Sequence, residues 1–544
     1  MADAAALAAA LVRALVGAGV REVVLAPGSR SAPLALALHA ADRAGWLRLH
    51  VRVDERGAGF LALGLARASE RPVSVVTTSG TAVANLHPVV LEAWHSHLPL
   101  LVLSADRPRS MRWTGANQTT HQEGLFAGHL RAAATVDDAR DEPSAWRFEV
   151  NRLVAAATGV RSRLPGPVHL DVELSDPLVG APVVFGGPAA PPTLSIGATR
   201  PAEPLLLPAG PRTVVLAGDA TPSVGRAAAR QAAAAGVPLL AEPSSNARSG
   251  PVAIGTYRLL LGSALADEVE RVVVVGRPTL SRPVTRLLAR ADVEVVVTTP
   301  YADWVDPGRT VSAVVDAVEL EPAGTPGAAW LRRWSQADRE VRARLDALLD
   351  GLPYLSGPVV ARTLLRGLDA DDVLLVGSSN QVRDLDLAPV AGTPPTVYAN
   401  RGLAGIDGLV STAVGVALAA GRPGHALLGD VTLLHDANAL VLGPAESRPD
   451  LRIVVANDDG GSIFAGLEQG GPAHVDAFER VFATPHGLRV EALAEAAGVP
   501  YTRVDDVTQL RAALAQPPQG LEVVEVSVDR ASRRALDEAL RALA

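Results

Sequence analysis

The chain has 544 residues, 48% of them hydrophobic, with 50 basic and 58 acidic side chains and a formal net charge of -8. That balance gives no basic field for nucleic acid, and no apolar stretch reaches the ~18 residues that span a bilayer. Cys and Lys are both absent, all 50 basic residues being Arg, which excludes thiol nucleophiles, thiolate metal sites and disulfides, lysine Schiff bases and the P-loop lysine. Carbon–carbon chemistry here therefore requires a metal or a bound organic cofactor.

The first residues carry no basic leader, and Leu7, Leu11 and Leu15 share one helix face, so a cytoplasmic location is expected. Apolar runs at Glu22–Ala26, Leu47–Val53, Val73–Thr78 and Leu98–Ser104 read as strands. Helix-like stretches separate them, the pattern of a parallel doubly wound α/β sheet. A length prior of ~150 residues per domain predicts three α/β domains, at 1–180, 212–352 and 353–544, with a Pro- and Gly-rich linker at 181–211. The second domain contains strand-like runs at Thr213–Leu216, Arg271–Val275 and Val293–Val297. A charged helix with Trp334, Val341, Leu345 and Leu348 on one face closes it. The third contains runs near Val373–Val376, Ala426–Leu428, Ile453–Val455 and Leu521–Val526.

Gly429-Asp430 ends one of these runs, and Asn457 ends another 27 residues later. A carboxylate and an amide oxygen at two strand ends suit Mg²⁺, a hard cation held by one or two protein oxygens together with phosphate oxygens. Strand ends are where open α/β sheets bind ligands, and a diphosphate held there points to thiamine diphosphate. The chain contains its own control: Gly218-Asp219 precedes Asn246 by the same spacing. That Asn lies in the loop-like Glu242-Pro243-Ser244-Ser245-Asn246 and lacks the Gly460-Gly461 that follows Asn457-Asp458-Asp459. Spacing alone is as consistent with accident as with a metal site.

Glu55 sits just past a strand end, entering a helix. One reading is an acid that favours the helix dipole. The other is a carboxyl that hydrogen-bonds N1′ of the thiamine aminopyrimidine, controlling its tautomer while the coenzyme supplies the chemistry. Glu55 and Asp430 fall in different expected domains; thiamine enzymes bind the coenzyme between domains, usually of two different subunits, so the second reading implies a dimer. The histidines show no HExxH spacing, and most read as surface or packing residues.

Ala26 to Ser31, Asp54 to Gly57, Thr78 to Asn85, Ala105 to Pro108 and Gly115 to Gln118 together resemble the first domain of the MenD family. Asn400-Arg401-Gly402, Gly405 to Gly408, and Gly429-Asp430 through Ile463-Phe464 extend the likeness; the middle third matches only loosely. Those enzymes are thiamine-diphosphate-dependent 2-succinyl-5-enolpyruvyl-6-hydroxy-3-cyclohexene-1-carboxylate synthases. The resemblance implies three Rossmann-like domains and a transferase of menaquinone biosynthesis. It implies decarboxylation of 2-oxoglutarate and addition of the succinyl carbanion to isochorismate. It further implies thiamine diphosphate with Mg²⁺, Mn²⁺ being an alternative, and a homodimer or homotetramer with active sites at subunit interfaces.

Carried over by the same resemblance, Asp430, Asn457 and the backbone carbonyl of Asp459 hold the metal. The Asp458-Asp459 pair departs from commoner versions and leaves a side-chain role for Asp459 open. Ser79, Gly80, Gly429 and Ile463 meet the coenzyme, and Ile406 wedges between its rings, an ordinary core Ile being the alternative. Ile463 and Phe464 wall the substrate pocket. Both substrates are dicarboxylates, and Arg30, Arg107, Arg383 and Arg401 stand at motif positions suited to bidentate carboxylate recognition. Ser29, Asn117, Gln118 and Ser379 add polar contacts, and Arg282 is the middle-domain candidate to reach the site. The rivals are a thiamine enzyme acting on monocarboxylates and a non-catalytic nucleotide-binding regulator.

Overall fold

The computed structural model describes residues 3–139, 141–187, 194–390 and 392–543. The first apolar runs pair into a six-stranded sheet. Its strands are β1 (Glu22–Leu25), β2 (Arg48–Val51), β3 (Val73–Thr77), β4 (Leu100–Asp106), β5 (Ala132–Asp137) and β6 (Val168–Glu173). Their order is β2-β1-β3-β4-β6-β5, every neighbour parallel. Every residue of β3, β4 and β6 is buried, as expected where helices cover both faces of a parallel sheet. Leu7, Leu11 and Leu15 are buried on the helix Ala4–Gly17.

This sheet belongs to the first of two compact units, built from Met1–Arg200, Asn400–Gly421 and Asp436–Pro449. Two segments of the 353–544 stretch thus group with the N-terminal part. Glycines explain how. The helix Leu409–Ala420 crosses the helix Glu55–Ser69 so closely that a Cβ on Gly64 would strike the Thr412 carbonyl, and one on Gly415 the Leu61 carbonyl.

The second unit comprises Pro201–Ala399, Arg422–His435 and Asp450–Ala544. It contains β7 (Leu205–Leu207), β8 (Thr213–Ala217), β9 (Leu239–Ala241), β10 (Arg271–Val275), β11 (Glu294–Thr298), β12 (Val311–Val315) and β13 (Val318–Leu320). There follow β14 (Val373–Val376), β15 (Thr396–Tyr398), β16 (Gly424–Gly429), β17 (Leu451–Asn457), β18 (Tyr501–Val504) and β19 (Leu521–Ser527). They form parallel sheets ordered β12-β11-β10-β8-β9 and β15-β14-β16-β17-β19-β18, with β7 paired to β13. β7 lies inside the stretch read as linker. One core joins both larger sheets, since Val214, Val272 and Trp334 share a cluster with Leu374, Leu427 and Val524. On the helix Gly324–Asp350, Trp334, Val341 and Leu345 are buried as expected, but Leu349 rather than Leu348 takes the next core position.

In both six-stranded sheets the strand order reverses at one point, between β1 and β3 and between β14 and β16. Ligands of open α/β sheets bind beyond the carboxyl ends of the strands at such reversals. The residues there are Gly28–Arg30 with Thr78–Gly80, and Gly377–Asn380 with Gly429-Asp430.

Candidate active site

At the β1/β3 reversal the chain is packed backbone-close: a Cβ on Gly28 would overlap the Thr78 side chain. Gly80 adopts φ +82°, a left-handed value that glycine tolerates without strain. Arg107, just past β4, donates from Nη1 to Ser79 Oγ and, at 3.0 Å, to the Gln118 carbonyl. Gln118 Nε2 in turn donates to the Ser79 carbonyl at 2.9 Å. Arg30 donates to the Leu174 carbonyl at 3.0 Å and lies 3.5 Å from the exposed Asp176 carboxylate. Burial, and after it the charge of Arg30, depress the Arg107 guanidinium below its usual range. Two neighbouring cations with little counter-charge are relieved by an incoming anion. The structure therefore gathers Arg30, Ser79, Gly80, Arg107 and Gln118; Ser29 and Asn117 stand exposed nearby in sequence.

Asp54 caps the helix that Glu55 begins. Its carboxylate accepts from Arg56 N at 2.8 Å and from Asn438 Nδ2 at 2.9 Å, which satisfies the orphan amide that a cap serves. Glu55 is thereby released from capping. Its half-buried carboxylate has no hydrogen-bond or ion-pair partner among the described residues. In the same unit, Glu92 receives the amides of Gly402 and Leu403 at 2.8 Å each, fixing the turn that follows buried Arg401. Ile406 is half-buried.

The second unit gathers the other group. Asp430 Oδ2 accepts from Gly460 N at 2.7 Å and from His486 Nε2 at 2.9 Å. Asn457 Oδ1 receives the Asp459 amide at 2.9 Å, and its Nδ2 donates to Glu525 at 2.6 Å. Half-buried Asp458 is pushed up to about 7 by desolvation and then by the Asp430 charge, and a Ser462 hydrogen bond opposes the shift. Asn380 Nδ2 donates to that Ser462 hydroxyl at 2.8 Å. Asp458 Oδ1 has no partner at all. Burial also raises Asp430.

The Asp459 side chain, whose role the sequence left open, is engaged by backbone amides. With φ at +52°, Asp459 turns its carboxylate to the amides of Gly487 and His486, at 2.8 and 3.1 Å. Its carbonyl accepts Arg530 Nη1 at 2.9 Å; a second lone pair remains for a cation. Buried Asp430 and half-buried Asp458, the latter with an unsatisfied oxygen, stand beside amide and carbonyl oxygens and fit a hard divalent cation. Alongside, Gln381 approaches Gly429 so that its Nε2 would lie 3.1 Å from a Cβ there, and its Oε1 is unpaired. Ser379 takes φ +75° and its carbonyl receives Arg383 Nη1.

Ile463 and Phe464 lie in short 3-10 turns from Ser462 to Gly470. Arginines of residues 530–541 hold that wall by its carbonyls. Arg534 Nη1 donates to Gly470 at 2.6 Å and Ala465 at 3.3 Å, and Arg541 Nη2 to Gly466 at 3.2 Å. Arg282 pairs with Glu468 at 2.9 Å, both largely exposed, so it reaches the segment after Phe464 rather than Asp430. The control Asn246 is used up structurally: its amide exchanges two hydrogen bonds with the Val397 backbone, at 2.9 and 3.0 Å.

Sequence reading missed His486, Asp458 as the acid with an unpartnered oxygen, and Gln122, described below. The residues expected to meet coenzyme, metal and substrate divide between Glu55, Ile406 and the Arg30–Arg107 group in one unit and the Asp430 group in the other.

Residues 5–125 match the family model for the thiamine pyrophosphate enzyme N-terminal TPP binding domain, a span that holds Arg30, Glu55, Gly80 and Arg107. Fold and match together define a thiamine-pyrophosphate-dependent enzyme. The chain is 52% identical over 540 residues to the 2-succinyl-5-enolpyruvyl-6-hydroxy-3-cyclohexene-1-carboxylate synthase of Kineococcus radiotolerans, covering 96% of each. It is 50% identical over 561 residues to that of a Nocardioides species, covering 99% of this chain and 98% of the relative. With the enzyme so named from Thermobifida fusca, identity is 48% over 563 residues, 99% of each. The chain belongs to this synthase family.

Proposed function

We propose that the protein uses thiamine diphosphate and Mg²⁺ to decarboxylate 2-oxoglutarate and join the succinyl unit to isochorismate, in menaquinone biosynthesis. The observation that carries this reading is Glu55, a half-buried carboxylate left without a partner because Asp54 does the capping. Bound thiamine diphosphate supplies a nucleophilic carbon and an electron sink for decarboxylation. Glu55 holds the proton at the aminopyrimidine nitrogen. Asp430, Asn457 and the Asp459 carbonyl hold the divalent cation, with Asp458 adding charge. Arg30, Arg107, Arg383 and Arg401 orient the dicarboxylates, helped by Ser29, Asn117, Gln118 and Ser379. Ile406, Ile463 and Phe464 exclude water.

The proposal extends to a homodimer or homotetramer in which Glu55 and Asp430 of different subunits serve one coenzyme. Exposed Val53 and Trp113 support such a partner. It also includes the three-domain division and a cytoplasmic location; no helix among the described residues is long and apolar enough to cross a membrane. Incubation with 2-oxoglutarate, isochorismate and Mg²⁺ tests the activity. Consumption of isochorismate only when thiamine diphosphate is present supports it, and no coenzyme-dependent loss overturns it.

A further inference from the structure

Gln122 is fully buried and has both ends of its amide engaged. Its Oε1 accepts from Gly80 N at 2.9 Å, and its Nε2 donates to Asp171 Oδ1 at 2.9 Å and to the Ala105 carbonyl at 3.4 Å. The orientation follows from chemistry, because the Gly80 N–H only donates and the Ala105 carbonyl only accepts. Asp171 lies on β6 beside Ser104 on β4. Ser104 Oγ lies 2.8 Å from Asp171 Oδ1 and 2.7 Å from His169 Nε2. With Asp171 ionised, the single Ser104 proton goes to the carboxylate and His169 Nε2 donates to Ser104 Oγ.

Arg112 closes the cluster. Its Nη2 meets Glu173 at 2.5 Å, Asp106 at 3.3 Å and Asp171 at 3.4 Å, and its Nη1 meets Glu123 at 3.1 Å. One guanidinium against four carboxylates favours a retained proton. Asp171 is accordingly pushed up to about 7 by burial and then by Asp106.

The same loop touches the Ser79–Gly80 turn twice, through Gln118 on the Ser79 carbonyl and Gln122 on the Gly80 amide. Arg107 bridges Ser79 and Gln118. We propose that Gln122 is a positioning residue: it ties the Ser79–Gly80 turn to the buried Asp171 and thereby sets the placement of Gly80, Arg107 and Gln118. The proposal rests on the assignment of Ser79 and Gly80 to the coenzyme and of Arg107 and Gln118 to substrate. No side chain of this cluster acts on substrate.

Gln122→Met and Gln122→Glu test it, by kinetics, calorimetric coenzyme affinity and thermal melting. A misplacement near 1 Å costs on the order of tenfold to a hundredfold in rate, so Gln122→Met should lose at least about tenfold in kcat/KM. In Gln122→Glu the introduced carboxylate, when ionised, would face Asp171, with Asp106, Glu173 and Glu123 nearby and only Arg112 and Arg107 as cations, His169 being neutral. Protonation of that carboxyl restores the donor. Gln122→Glu should therefore recover kcat/KM and coenzyme affinity as pH falls from 8 to 6, a recovery absent in Gln122→Met. Unchanged kinetics in Gln122→Met would overturn the proposal. So would parallel losses of activity and melting temperature in both variants without recovery at low pH. Ser79→Ala and Arg107→Met run alongside. If these leave coenzyme affinity and KM unchanged, the site assignment itself fails; if they act while the Gln122 variants do not, only the role of Gln122 fails.

Discussion

His486 donates its Nε2 proton to Asp430 Oδ2 across 2.9 Å, and the proton is fixed on that nitrogen because Nδ1 accepts the Leu488 amide at 2.9 Å. A partner of this kind orients a metal-ligating carboxylate, and losing one costs about 10- to 100-fold in metal affinity. His486→Ala should raise the Mg²⁺ concentration needed for coenzyme binding by about that factor, read by calorimetry across a Mg²⁺ series. An unchanged Mg²⁺ requirement would remove His486 from the site.

Glu55→Gln keeps the shape of the side chain and removes its charge. Positioned proton transfer is worth about 10²- to 10⁴-fold, so kcat should fall within that range. Because Asp54 carries the helix cap, the melting temperature should stay within a degree or so. A variant that retains full coenzyme-dependent turnover would show that Glu55 is an ordinary helix-start acid.

Asp171 makes stability depend on pH in a predictable direction. Its folded value, about 7, lies above the usual 3.8 because of burial and then Asp106. The stabilising contribution is full below the unfolded value and is lost as pH rises through the folded one. At about 1.4 kcal/mol per pH unit of displacement, the loss is at most about 4 kcal/mol between pH 4 and 8. Buried His169, lowered to about 4 by desolvation, has the opposite slope and loses stability as pH falls below 6.5. Asp171→Asn should therefore gain stability relative to the wild type as pH rises from 4 to 8, measured by urea unfolding. A constant difference across that range would contradict the assignment.

At the crossing of the helices Glu55–Ser69 and Leu409–Ala420, the backbones meet where Gly64 and Gly415 leave no side chain. Overpacking typically costs about 1–3 kcal/mol, and here the obstacle is a carbonyl rather than a movable side chain. Gly64→Val should lose at least that much in denaturant unfolding. Gly17, with open space around its added Cβ, serves as the control in Gly17→Ala.

The legible parts of the site were those that follow apolar runs. Asp430 directly follows β16, Asn457 ends β17, and Glu55 follows β2, so strand reading reached them directly. His486 was hidden because a loop returns it to Asp430 from 56 residues away, a contact with no local pattern. In β6, His169, Asp171 and Glu173 alternate with apolar residues, which is a strand signal. That alternation describes a half-exposed strand, whereas all six residues are buried and the polar face meets Arg112. Gln122 had no signal of its own, since its role exists only once Gly80 and Asp171 are adjacent. The decoy pair Asp219 and Asn246 shows the limit from the other side: identical spacing ended in an amide stapled to Val397.

The arginines that grip Asp459, Ala465, Gly466 and Gly470 take hold of main-chain oxygens, which every amino acid supplies alike. Replacing side chains between those anchor points leaves the main-chain holds in place, while altering Arg534 or Arg541 releases the segment from the helix behind it. The trajectory of residues 465–470 is thus set by the helix Arg533–Arg541 through main-chain oxygens rather than by the segment's own side chains.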